Sequence, residues 1–176
     1  MNRIETPRTV LQPFSEEDAE AAFGWLGDPT VMRFIPSGLD ASVEDTRKRI
    51  AMYREHQAAH GFSRWVIRDL ASGSLIGDCG LLLLAAAGGI DLGFRFAVPH
   101  WGKGLATEVA QAWVRAAVED LHLSRLVAFA HPQNLASLRV LEKVGFRRTG
   151  VGRVMGMDAV TFEYLAGQRA GGGQRG

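Results

Sequence analysis

The stretch Ile90-Asp91-Leu92-Gly93-Phe94-Arg95-Phe96-Ala97-Val98-Pro99-His100-Trp101-Gly102-Lys103-Gly104-Leu105-Ala106-Thr107 joins two periodicities. Up to Val98 the residues alternate. Ile90, Leu92, Phe94, Phe96 and Val98 share one face of a strand, and Asp91, Gly93, Arg95 and Ala97 the other. After Gly104 the period becomes helical, with Leu105, Val109, Ala112, Trp113 and Ala116 as the buried stripe of a helix reaching about Asp120. Trp101–Thr107 is the junction. A helix start leaves backbone N–H groups unpaired and carries a partial positive charge. Glycines beside it let a phosphate approach the backbone, and Lys103 adds a mobile positive charge. This makes the junction a candidate diphosphate site, with a plain tight turn as the alternative. The pattern G-x-G-x-x-G does not fit, because Thr107 stands where the third glycine belongs. Nor does G-x-x-x-x-G-K-[ST], because Lys103 lies between the glycines.

Working outward, Phe62 to Leu70 and Ser74 to Leu84 read as strands around the turn Ala71-Ser72-Gly73. A helix is expected from about Ser42 to His60. Its narrow stripe of Val43, Ile50 and Tyr53 leaves most of it facing water. Arg8 to Phe14 reads as an edge strand stopped by Pro13, after which Ser15 caps a helix with Ala19, Ala22, Phe23 and Leu26 on one face. Asp28-Pro29 breaks that helix. Downstream, Ser124 to Ala130 is a strand and Asn134 to Val144 a helix with Leu138, Leu141 and Val144 inward. Gly145 suits its left-handed cap. Phe146 to Val154 and Met157 to Leu165 form a closing pair of strands. The order predicts one α/β domain over residues 1–166. The glycine-rich tail, residues 167–176, is expected to be disordered.

Bulk properties narrow the function classes. The chain's 20 Lys and Arg against 19 Asp and Glu give no electrostatic case for nucleic acid or a membrane surface as main partner. One cysteine, Cys79, excludes an intrachain disulfide and a cysteine-rich zinc site. Leu81 to Ala87, the densest apolar run, is too short for a span of ~20 residues, and the first residues lack a signal-peptide core. A cytoplasmic location is the expectation. His56 and His60 stand at metal-ligand spacing but lack a third partner, so a solvated face is the better reading and no metal is expected. Cys79, in an apolar strand, reads as core. Trp25, Trp65, Trp101 and Trp113 are mostly core by pattern, and His100 and His131 read as loop polarity with proton shuttling as the alternative.

Three blocks, in order and at matching spacing, resemble the GNAT N-acetyltransferase superfamily, and within it the ribosomal-protein N-acetyltransferase-like group. They are Thr9–Asp18 with Asp28–Arg33, Leu92–Phe96 through Trp101–Glu108, and Asn134–Phe146. The likeness covers roughly Thr6 to Leu165. It implies a GNAT fold, a mixed and mostly antiparallel seven-stranded sheet with about four helices. It also implies acetyl-CoA in a V-shaped gap between the strands Ile90–Val98 and Ser124–Ala130. The diphosphate would rest on N–H groups from Gly102, Lys103, Gly104, Leu105, Ala106 and Thr107, with Trp101 at the head of the loop. The pantetheine arm would pair with the edge formed by Phe96, Ala97 and Val98. The sequence departs from the family pattern at Trp101, where Gln or Arg is usual, at Gln12, where Arg is frequent, and at Pro99.

The resemblance further implies that Asn134 contacts the pantetheine amides, that Ser137 hydrogen-bonds the sulfur, and that the Val98 N–H serves the carbonyl oxygen. Asn134 and Ser137 share a helix face; a plain N-cap and an exposed serine are the alternatives. Direct transfer also needs a base. Asp91 is the candidate, because some superfamily members carry a carboxylate on this strand and burial raises a carboxyl pKa. An Asp91–Arg95 ion pair that orders the strand, or a water chain as base, is the competing reading. The expected reaction joins acetyl from acetyl-CoA to a primary amine, either a protein N-terminus or a small molecule. A non-catalytic acyl-CoA sensor and a nicotinamide oxidoreductase are the rival classes. A homodimer is the candidate oligomeric state.

Overall fold

Hydrophobic alternation and turn chemistry place eight strands, and a computed structural model describes residues 1–167. The strands are β1 (Ile4–Glu5), β2 (Thr9–Pro13), β3 (Arg64–Asp69), β4 (Leu75–Leu84), β5 (Gly89–Phe96), β6 (Arg125–Ala130), β7 (Arg147–Val154) and β8 (Met157–Leu165). They form one sheet in the order β1-β2-β3-β4-β5-β6-β8-β7. Every described pairing is antiparallel except β5 with β6, which are parallel and meet at Asp91↔Val127. The helices are α1 (Ala19–Leu26), α2 (Pro29–Met32), α3 (Val43–His60), α4 (Leu105–Glu119) and α5 (Leu135–Lys143).

The sheet therefore has eight strands where seven were expected, because the two-residue β1 folds back on β2. A fifth helix arises at Asp28-Pro29. There the Asp28 side chain accepts from the Thr30 N–H, and Pro29 takes the first helical position, where no amide is needed. The glycine-rich tail from residue 168 on lies outside the described residues.

The two faces of the sheet bury different sets. On one, α4 and α5 lay Leu105, Val109, Trp113, Leu138 and Leu141 against Leu11, Trp65, Cys79, Leu81 and Leu92. Trp65 and Trp113 meet edge to face, with ring centroids 4.8 Å apart. Full burial of each large side chain here is worth roughly 1.5–3 kcal/mol, so this layer fixes where α4 begins. On the other face, α1 and α3 cover Val66 with Ala22, Trp25, Leu26, Ile50 and Tyr53. Trp25, not Phe23, takes the buried place on α1. Trp101 departs from the core expectation and is exposed. No helix among the described residues is long and apolar enough to cross a membrane.

Candidate active site

At the head of α4 the chain takes two left-handed steps, Gly102 at φ 69° and Gly104 at φ 76°. Side chains avoid that region, so glycine is what permits the turn. Glu108 N–H is the first to find a helical acceptor, the Gly104 carbonyl at 3.1 Å. Among the described residues, no hydrogen bond engages the N–H groups of Gly102, Lys103, Gly104, Leu105, Ala106 or Thr107. A Cβ at Gly102 would meet nothing within 4 Å. Six unpaired amides at an open helix start fit a diphosphate. The loop is held from behind. Arg8 Nη1 donates to the Lys103 carbonyl at 2.8 Å, and Arg8 Nε donates to Glu108 Oε2 at 2.7 Å. Burial opposes ionisation of Glu108, yet hydrogen bonds from Thr6 and Arg8 outweigh it and hold the carboxyl below its usual range.

The strand edge beside this loop is partly occupied by the chain itself. Ala97 N–H turns to β4 and donates to the Ile76 carbonyl at 2.9 Å, and the Ala97 carbonyl accepts from His100 N–H. The Phe96 carbonyl accepts from the Trp101 indole at 2.7 Å. Val98 N–H has no hydrogen bond among the described residues. The residue at the head of the loop, where the family pattern has Gln or Arg, thus braces the edge that it follows.

A cavity of about 250 Å³ opens between β5, β6, α3 and α5. Asp91, Asn134 and Ser137 all line it, so three expected site residues meet at one place. Asn134 is an N-cap, its Oδ1 accepting Ser137 N–H at 3.3 Å. The Ser137 hydroxyl has no partner among the described residues.

Asp91 is only 4% exposed. Its Oδ2 accepts from Arg64 Nη2 at 2.7 Å, while its Oδ1 is buried without a partner. Burial pushes its carboxyl up to about 6 against the opposing pull of Arg64. The Asp91–Arg95 pairing does not form. Four residues along a strand span roughly 13 Å, too far for an ion pair. Arg95 instead reaches its register partner Asp78, with Nη2 donating to Oδ1 at 2.6 Å. Asp78 also accepts from Trp25 Nε1, and Arg95 donates to the Tyr53 hydroxyl.

The sequence reading missed Arg64, Asp78, Tyr53 and Arg8. Glycines in the strand interiors are the available signal. A Cβ at Gly93 would stand 2.3 Å from Arg64 Nη1, so Gly93 is the gap through which Arg64 reaches Asp91.

The remaining candidates have structural places. Leu83 N–H donates to His56 Nε2, so Nδ1 carries the proton and donates to the Phe62 carbonyl, which ties α3 to β4. Cys79 is buried, and burial drives its thiol pKa up, so it offers no nucleophile. The His131 ring stacks on Phe34 at 4.7 Å. Among the described residues, no group of three or more His, Cys, Asp or Glu is placed to hold a metal.

Comparison with known proteins shows the family. A family model described as "Acetyltransferase (GNAT) domain" matches residues 8–147. The uncharacterized N-acetyltransferase YoaA of Bacillus subtilis is 32% identical over 153 residues, covering 84% of each chain. The uncharacterized N-acetyltransferase p20 of Bacillus licheniformis is 27% identical, covering 97% of this chain and 100% of its own. The crystal structure of an acetyltransferase of the GNAT family from Bacillus anthracis superposes with a TM-score of 0.79 at 26% identity, covering 93% of this chain and 98% of that one.

Proposed function

The chain belongs to the GNAT acetyltransferase family, and from that premise we propose that it acetylates a primary amine by direct transfer, with Asp91 as base and Ser137 at the leaving sulfur. Enzymes of this family are acetyl-CoA-dependent acyltransferases. The observation that carries the residue assignment is that one cavity is lined both by Asp91, whose Oδ1 is unpaired, and by Ser137, whose hydroxyl has no partner among the described residues.

Acetyl-CoA, when bound, supplies the activated thioester. The N–H groups from Gly102 to Thr107 bind its diphosphate, and Lys103 adds countercharge. Phe96, Ala97 and Val98 form the edge that orients the pantetheine arm. Trp101 must release the Phe96 carbonyl if that atom is to take part. Asn134 keeps α5 capped, which aims Ser137 into the cavity. Asp91 Oδ1 accepts the proton that the acceptor ammonium must lose before it attacks. Arg64 holds Asp91 in place through the other oxygen. Val98 N–H is the donor for oxyanion charge, and Ser137 Oγ–H donates to the departing thiolate.

The test is thiol release from acetyl-CoA against a panel of amines and peptides with free N-termini. Release that depends on the amine supports transfer. Tight binding of acetyl-CoA with no release from any amine would instead support the non-catalytic sensor reading.

A further inference from the structure

We infer that the acceptor is a single primary amine carried on an apolar group about the size of one side chain, rather than a polycation or a free amino acid. The inference rests on the acetyl-transfer reading and deepens it by naming the acceptor class.

The shape and lining of the cavity are the first observation. Beyond Asp91 and Ser137 its apolar wall includes Phe34, Leu82, Leu84 and Phe94, all half-buried, while the polar side chains of Ser37, Tyr53 and Asn134 also line it. Met52 and Met155 stand at its rim, 48% and 46% exposed. Unbranched thioethers adapt to apolar shapes and offer an amine body no hydrogen bond of consequence. The volume of about 250 Å³ must also admit the acetyl end, so the buried part of the acceptor is small.

The charges are the second. Among the described lining residues are three guanidiniums, and each already has a carboxylate: Arg49 holds Asp40, Arg64 holds Asp91 and Arg95 holds Asp78. No lining cation remains for a substrate carboxylate. One anionic atom remains, Asp91 Oδ1. One unpaired oxygen matches one ammonium. A second ammonium on the same molecule would have to lie against hydrocarbon or guanidinium, which burial makes costly. An apolar amine has two sources, a free monoamine or the N-terminus of a peptide whose first side chain is apolar. Both present the same chemistry to this cavity.

The experiment is calorimetric titration of the full chain, saturated with coenzyme A, using phenethylamine, a phenylalanyl-glycyl-glycine amide, cadaverine and the aminoglycoside kanamycin. At least one apolar probe should bind roughly tenfold or more tighter than cadaverine and kanamycin, the discrimination that an apolar pocket provides. Which apolar probe binds identifies the source. Met52→Glu adds a second carboxylate at the rim and should narrow that ratio in favour of cadaverine. Equal or tighter binding of cadaverine or kanamycin, or no binding of either apolar probe, would overturn the inference. Thiol release separates the two claims. Release with cadaverine and none with the apolar probes overturns the acceptor class and keeps transfer. Binding of the apolar probes without release from any amine keeps the preference and overturns transfer.

Discussion

Arg8 and Glu108 lie 100 positions apart and meet as an ion pair, with Arg8 Nε donating to Glu108 Oε2 at 2.7 Å. The same guanidinium holds the Lys103 carbonyl, so the segment before β2 braces the amide cradle from behind. It also offsets a carboxylate that stands in the first turn of α4, where an incoming diphosphate would meet like charge. Arg8→Ala should weaken coenzyme A binding by roughly tenfold, the value of one or two hydrogen bonds to a charged group, while leaving kcat at saturation nearly unchanged. Arg8→Lys should not restore affinity, because one ammonium cannot fork between Glu108 and Lys103. Calorimetric Kd values decide the matter. A lower melting temperature with unchanged Kd would leave Arg8 a simple anchor of the N-terminal segment.

Asp91 sets a pH dependence. In the proposed role of base the carboxylate is the active form, and burial pushes the carboxyl up to about 6, so the rate should fall as pH drops through that value. Asp91→Asn should remove this acid limb and lower kcat/KM by about 10²–10⁴-fold, the range for loss of a general base. A pH–rate profile of the variant that still shows the limb assigns the base to another group.

Ser137→Ala should lower kcat by roughly tenfold or more, the value of one hydrogen bond to a developing charge, with little change in coenzyme A affinity. The α5 cap should survive, since Asn134 accepts from the backbone of residue 137 and not from its hydroxyl. Steady-state kinetics with Kd measured in parallel separates the two quantities.

Asp78 is fully buried between Trp25 and Arg95. Asp78→Ala leaves the Arg95 guanidinium uncompensated, at a cost of about 3–5 kcal/mol. Urea denaturation should show this as a large fall in midpoint. A loss below about 1 kcal/mol would mean that water or another carboxylate reaches Arg95.

Local signals carried much of this structure. The strand-to-helix junction at 90–107 was legible because period and glycine placement are properties of neighbouring residues. Asn134 and Ser137 were legible as a pair for the same reason. The partners of Asp91 and Arg95 were not. Arg64 comes from a strand 27 residues upstream, and Asp78 from the adjoining register position. Residues on one face of a strand look adjacent in sequence yet stand too far apart to pair, so Asp91–Arg95 was the natural misreading. The bracing of the Phe96 carbonyl by Trp101 depends on a side chain turning back across five residues, which no periodicity encodes.

The described rungs between β5 and β6 come down to Asp91↔Val127, so helix packing adds to the union of the two halves of the sheet. Helix α4 contributes to it, packing on β4 and β5 and reaching the other half through α5. Its first turn also carries the unpaired amides proposed to hold the diphosphate. Ligand taken up there would load a helix that contacts strands of one half and α5 of the other, so stiffening should spread outward from it. Amide exchange in saturating coenzyme A should therefore slow on both sides of the cleft rather than leave a footprint confined to the loop.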